Sequence, residues 1–114
     1  MIWNRFLPFP GFTAINLFGI IFVRKGCRFT PVDLLHERIH TRQQRELLFI
    51  PFYLLYVLEW LWRLLQTRPL HHLLRRSSLL RAYRRLSFER EAYEHQNEPD
   101  YLSSRTHYAW VHYL

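Results

Sequence analysis

Cysteine is almost missing from this chain. Cys27 stands alone, so no intrachain disulfide can form, which is compatible with a reducing compartment. Lysine is equally scarce. Lys25 is the only one among sixteen basic residues, so nearly all the positive charge is arginine. No internal repeat and no low-complexity segment occurs, which excludes solenoid and fibrous classes. No zinc-finger spacing and no RNA-binding aromatic motif is present. The opening stretch MIWNRFLPFPGF has no long apolar run and is broken by two prolines. A cleaved signal peptide is therefore not expected, and the expected location is cytoplasmic or inner-membrane-associated.

What is present is apolar, aromatic and basic. Hydrophobic residues make up 49% of the 114-residue chain and aromatics 18%, which argues against disorder. That length predicts one domain, spanning residues 1–114, with a modest core. The net charge of +7 suits anionic lipid, nucleic acid or internal pairing with carboxylates, since guanidinium binds phosphate and carboxylate planes.

The chain divides into four segments. Residues 1–29 carry β-type signals, with a strand expected near 13–24 and pairing with residues 2–7. Thr30, Pro31 and Asp33 form a helix start: a capping hydroxyl, a proline suited to the first turn and an acid favoured by the helix dipole. Helical character then runs to about Gln66, kinked or broken at Pro51. Within it, LLFIPFYLLYVL at 47–58 is apolar without interruption, but a membrane span needs about 20 such residues. Extending it to Leu65 takes in Glu59 and Arg63, so membrane contact is more natural here than a full span. A further helix is expected over 77–97, ended by NEPD, and the aromatic tail 100–114 is expected to pack back as a short helix.

The chemistry lies in His36-Glu37-Arg38-Ile39-His40. Residues four apart on a helix lie one above the other, so His36 and His40 can aim two imidazoles at one ion. Glu37, one step around, can reach a water on that ion as a general base. Chance supplies this pattern in roughly a few per cent of shuffled sequences, so its setting decides. At 100° per residue, Val32, His36, Ile39, His40, Gln43 and Leu47 share one face, and Arg38, Arg42 and Arg45 lie opposite. Both histidines therefore sit on the side expected to be buried.

A catalytic zinc site needs a third protein ligand. Gln43 and Glu46 stand where a metzincin would have its glycine and third histidine, so that class is excluded. The segment LSFEREAYEHQ, 86–96, offers the alternative. Leu79, Ala82, Leu86, Glu89 and Tyr93 form one stripe, with Tyr83 at its edge. A carboxylate in an apolar stripe is costly unless paired or metal-bound, which selects Glu89. Glu91, on the side with Arg84, is the other choice for third ligand, but a solvated i,i+4 pair with His95 is the expectation for it.

HERIH followed, after an apolar helix, by FEREAY resembles the gluzincin zinc metallopeptidases. The order of parts is similar to membrane-bound CAAX-prenyl and HtpX-like proteases, to BlaR-type sensor peptidases and to minimal gluzincins. The likeness runs over residues 30–96 and is specific at 36–40 and 89–92. It implies a Zn²⁺ held by His36, His40 and Glu89, with Glu37 as base, acting on a peptide or protein substrate. It also implies an edge strand before the motif helix, at 13–24, able to pair with an extended peptide. Tyr93 departs from the pattern, standing where the family has an aspartate that orients a metal-bound histidine.

The sequence thus predicts an α+β, mostly helical domain: a small N-terminal hairpin or edge strand, a zincin-like motif helix, a long apolar helix and a third-ligand helix. So short a chain lacks the subdomain that usually builds a cleft wall, so a dimer or partner chain is expected to complete it. The rival readings are a small membrane-associated binding protein with a non-catalytic zinc site or none, and a basic nucleic-acid binder. The arginines at 75–76 and 81–85 suit the inner surface of an anionic membrane better than a duplex. His71 and His72 are expected in a loop, and His107 and His112 among packed or surface residues of the tail.

Overall fold

The computed structural model describes residues 2–4, 14–26, 28–67, 70–72 and 74–114. The fold is mixed α+β and mostly helical. The expected strand at 13–24 is instead a hairpin of β2 (Ala14–Leu17) and β3 (Ile20–Arg24), paired antiparallel with Leu17 opposite Ile20. Phe18 and Gly19 make the two-residue turn, both at positive φ (54° and 84°). Such a turn matches strand twist, and Gly19 enters it without steric cost. The break is not signalled by hydropathy, because apolar residues continue straight through the turn. A third strand, β1 (Ile2–Asn4), runs parallel to β3, giving the order β1-β3-β2. The expected pairing thus holds for residues 2–4, and residues 5–7 and 13 lie outside the described residues.

α1 (Pro31–Glu46) starts as the sequence requires. The Asp33 N–H donates to Thr30 Oγ1 at 3.3 Å, and Asp33 Oδ2 accepts from the Thr30 N–H at 2.9 Å. The two orphan donors satisfy each other's residues, a complete capping box. α2 (Ile50–Leu65) leaves α1 at an angle of 111°. Pro51 has no N–H, and its ring excludes the carbonyl four residues back, so one helix cannot continue through Leu47. Leu48 and Phe49 take up the corner at positive φ. The Phe49 N–H closes it on the Gln44 carbonyl at 2.7 Å.

The single helix expected over 77–97 is two helices, α3 (Arg76–Arg84) and α4 (Ser87–His95). Leu86 turns extended between them (ψ 138°), and Glu59 of α2 explains why. Its carboxylate accepts from the Ser87 N–H at 2.9 Å and from Ser87 Oγ at 2.6 Å. A helix start needs acceptors for its first N–H groups, and here a tertiary carboxylate provides one. The tail forms a short helix α5 (Tyr101–Ser104) and a 3₁₀ turn over Ala109–Tyr113, which packs on α4.

Phe88 lies at the centre of the apolar core. Its ring sits 4.8 Å from Phe52 of α2 and 4.6 Å from Trp110 of the tail. Offset aromatic contacts of this kind add to area burial. Phe88 thereby fixes the helix that carries Glu89. Among the described residues, no single helix is long and apolar enough to cross a membrane.

Candidate metal centre

His36, His40 and Glu89 are all buried and converge, although 53 residues separate the first from the last. The His36 and His40 Nε2 atoms lie 3.1 Å apart. Glu89 presents one carboxylate oxygen to each, Oε1 at 3.1 Å from His36 and Oε2 at 3.1 Å from His40. Ligands at 2.0–2.1 Å from a tetrahedral zinc lie about 3.3 Å from one another, so these separations suit one small cation. Among the described residues these three are the group of His, Cys, Asp and Glu side chains placed to hold a metal.

The proton arrangement points the same way. Gln43 Nε2 donates to the Phe88 carbonyl at 2.9 Å and to Glu91 Oε1 at 3.0 Å. That fixes the amide with its Oε1 toward His40 Nδ1, 2.7 Å away. Nδ1 must then be the N–H, so neutral His40 turns a lone pair on Nε2 toward the shared point. His36 Nδ1 lies 2.9 Å from Gln96 Oε1, an arrangement that exposes its own Nε2 in the same way. Two lone pairs and a carboxylate facing one another out of water require a positive charge between them, a metal ion or protons. The residues present therefore fit a small metal cation, and two imidazoles with a carboxylate are a set that zinc accepts.

Without a metal, the charges must come from protons. Burial alone would lower the His40 pKa, but the Glu89 carboxylate outweighs it and raises it to about 9. Burial likewise works against an ionised Glu89, yet His40 and His36 hold it far below the usual carboxylate range. Tyr56 of α2 donates to Glu89 Oε2 at 2.6 Å and steadies the carboxylate. Burial pushes the Tyr56 hydroxyl well above its ordinary range, so it remains a donor.

Glu37 sits at the rim of the same cluster. Burial raises its pKa by more than His40 and His36 lower it, so the carboxyl titrates above its ordinary value. It shares with His40 and Glu89 a cavity of about 310 Å³. The cavity walls are the β2 strand, Phe52, Tyr53 and Tyr56 of α2, and Tyr83 of α3. β2 is an edge of the sheet among the described residues, and its Asn16 fastens it to α1. Asn16 Nδ2 donates to the Glu37 carbonyl at 2.7 Å and to Thr41 Oγ1. The strand therefore both roofs the core and forms a wall of the cavity.

Glu91 is not the solvated partner of His95. It is fully buried, at 0% exposure, and Arg105 of the tail donates to it from Nε at 2.5 Å and from Nη2 at 3.1 Å. Arg105 also holds Glu46 at 2.9 Å through both terminal nitrogens. Burial raises the Glu91 pKa, and Arg105, Gln43 and Tyr101 together more than reverse this, so the carboxyl titrates below its ordinary value. Arg105, Glu91 and Gln43 thus form a chain ending on His40 Nδ1. Glu91 stands behind the histidine, outside the converging set. Tyr93 packs its ring against His36 at 4.6 Å and makes no bond to either imidazole's Nδ1. The partners of the two imidazole Nδ1 atoms are Gln43 and Gln96. Of the other histidines, His71 and His72 lie in a 3₁₀ turn over Leu70–His72 rather than a loop, with their rings edge to face at 4.3 Å, and the His107 and His112 side chains are exposed.

No protein-family model matches this chain, and no curated protein or solved structure matches it.

Proposed function

We propose that this protein is a minimal zinc metallopeptidase of gluzincin type. The observation that carries the reading is the triad itself: two Nε2 lone pairs and a carboxylate, each about 3.1 Å from the next, beside a partly buried glutamate on a cavity. His36, His40 and Glu89 would hold the zinc, which when bound supplies a water acidic enough to be a nucleophile near neutral pH and polarises a carbonyl.

The remaining work belongs to the chain. Glu37 accepts the proton of the attacking water and returns it to the leaving amine, a task suited to a carboxylate whose pKa burial has raised. Tyr83, also on the cavity and neutral because burial raises its pKa, is the hydroxyl donor for the developing oxyanion. A hydrogen bond links it to Tyr93. An extended peptide would lie along β2, whose Ala14–Leu17 line the cavity, with Ile15, Leu17, Phe52 and Tyr53 as an apolar wall for a neighbouring side chain.

Glu37→Gln tests this. The variant should retain zinc and lose peptide hydrolysis by roughly 10²–10⁴-fold, the scale of a lost general base. A variant that cleaves an unfolded protein substrate as fast as the parent would remove Glu37 from the mechanism. A parent that binds zinc and cleaves nothing would leave a non-catalytic zinc protein.

A further inference from the structure

α2 is inside out. Its polar residues point inward: Tyr56 to Glu89, Glu59 to Ser87, and Arg63 to Glu59 at 3.3 Å. Its outward face is Leu54, Val57, Leu58, Leu61, Trp62 and Leu65, each between 43% and 61% exposed. These residues fall within one arc of the helix, opposite Phe52 and Tyr56. The face continues at its N-terminal end through Leu48 (77% exposed) and Ile50 (67%) to Phe18 at the hairpin tip, whose ring lies 6.1 Å from Phe49. An apolar surface this extended marks an interaction site.

The charges identify the partner. Of the nine carboxylates, six are spent inside the fold. Asp33 caps α1, Glu46 and Glu91 hold Arg105, Glu59 caps α4, and Glu37 and Glu89 belong to the candidate metal centre. The remaining three, Glu94, Glu98 and Asp100, cluster in the chain at the C-terminal end of α4 and just beyond. The exposed arginines are thus left largely uncompensated, and they bracket the apolar face along the chain. Arg42 and Arg45 are exposed just before Leu48, and Arg75 and Arg76 are exposed just after the 85%-exposed Leu74.

We infer that the outer face of α2 docks in the surface layer of an anionic lipid bilayer, with the flanking arginines on the lipid phosphates. A leucine-rich face bordered by arginine, with a tryptophan at its rim, is what lies in a membrane interface plane. α2 has 16 residues, about 24 Å at 1.5 Å per residue, short of a hydrocarbon core of about 30 Å, so it lies along the membrane. Its inner face meanwhile forms a wall of the cavity, which places that cavity at the lipid surface. The inference is independent of the zinc reading and stands or falls without it.

Vesicle flotation of the full chain tests it, with pure phosphatidylcholine vesicles and with vesicles one quarter phosphatidylglycerol, at about 0.1 M salt. The protein should float with the anionic vesicles and far less with the neutral ones. Leu58→Glu/Leu61→Glu should abolish flotation while circular dichroism and zinc content stay at parental values, since both side chains are surface residues. Arg75→Glu/Arg76→Glu should weaken binding by about thirtyfold or more, from about a fivefold gain per arginine near an anionic surface. The inference is overturned if the parent stays at the bottom of both gradients, or if Leu58→Glu/Leu61→Glu floats as the parent does. It is equally overturned if sedimentation shows a vesicle-free dimer of the parent that Leu58→Glu/Leu61→Glu dissociates, because a second copy then covers the face.

Discussion

α1 and α2 are the same length, meet at one corner and invert each other's logic. α1 is mostly polar, yet it buries His36, His40, Gln43 and Gln44 around a single apolar residue, Ile39. α2 is mostly apolar, yet it buries only Phe52 and Leu64 and gives its apolar arc to the outside. In an ordinary two-layer fold each helix would turn its greasy side to the core. Buried polar groups are costly unless partnered, and α1 partners every one: the amides with backbone and carboxylate, the imidazoles with the amides and Glu89. The polar burial of α1 therefore marks a built site, and the apolar exposure of α2 marks a surface meant to be covered by something else.

Four substitutions separate these two roles, beginning with the largest effect. Phe88→Ala removes the ring that joins α2, α4 and the tail, and should cost about 3–5 kcal/mol in chemical denaturation. A cost near zero would mean that α4 is held by something other than this core. Gln96→Ala takes the acceptor from His36 Nδ1 and should weaken zinc binding roughly 10–100-fold in a chelator competition. Unchanged zinc affinity would show that the amide does not orient the imidazole. Glu59→Ala strips the tertiary cap from α4 and should cost about 1–2 kcal/mol, read as a lower thermal midpoint. Leu58→Ser on the outer arc of α2 should shift stability by less than about 0.5 kcal/mol in solution. A large loss there would mean that the arc is packed in the folded chain, and the contrast between the helices would fail.

The helix phase explains what could be seen in the sequence and what could not. His36 and His40 lie on one continuous helix with a clear start at Thr30, so their shared face followed from counting residues. Counting along the stripe through Ala82 and Leu86 selects Glu89 as well. That count assumed one helix, and the break at Leu86 resets the phase. Glu91 falls on the wrong side in such a count for this reason and for a second one. α4 is covered on two sides, by α1 and by the tail, so two of its carboxylates are buried rather than one. The isolated Arg105, with no acid near it in the tail sequence beyond Asp100, was the one local hint of a buried partner. Gln43 and Gln96 carried no signal, since an amide's role as an imidazole acceptor depends on contacts made across 60 residues of chain in one case and on the Glu91 pairing in the other. The Phe18–Gly19 turn was hidden because the apolar run continues through it, and Tyr53 and Gln44 hold that turn from elsewhere in the fold.

We propose above all that this polar cluster holds zinc. Metal analysis and zinc X-ray absorption on the zinc-dialysed full chain test it most directly. The account predicts about one zinc per chain, with nitrogen and oxygen ligands only and the scattering of two imidazoles. A chain that stays metal-free, or a spectrum that requires sulfur from Cys27 or fits fewer than two imidazoles, would contradict it.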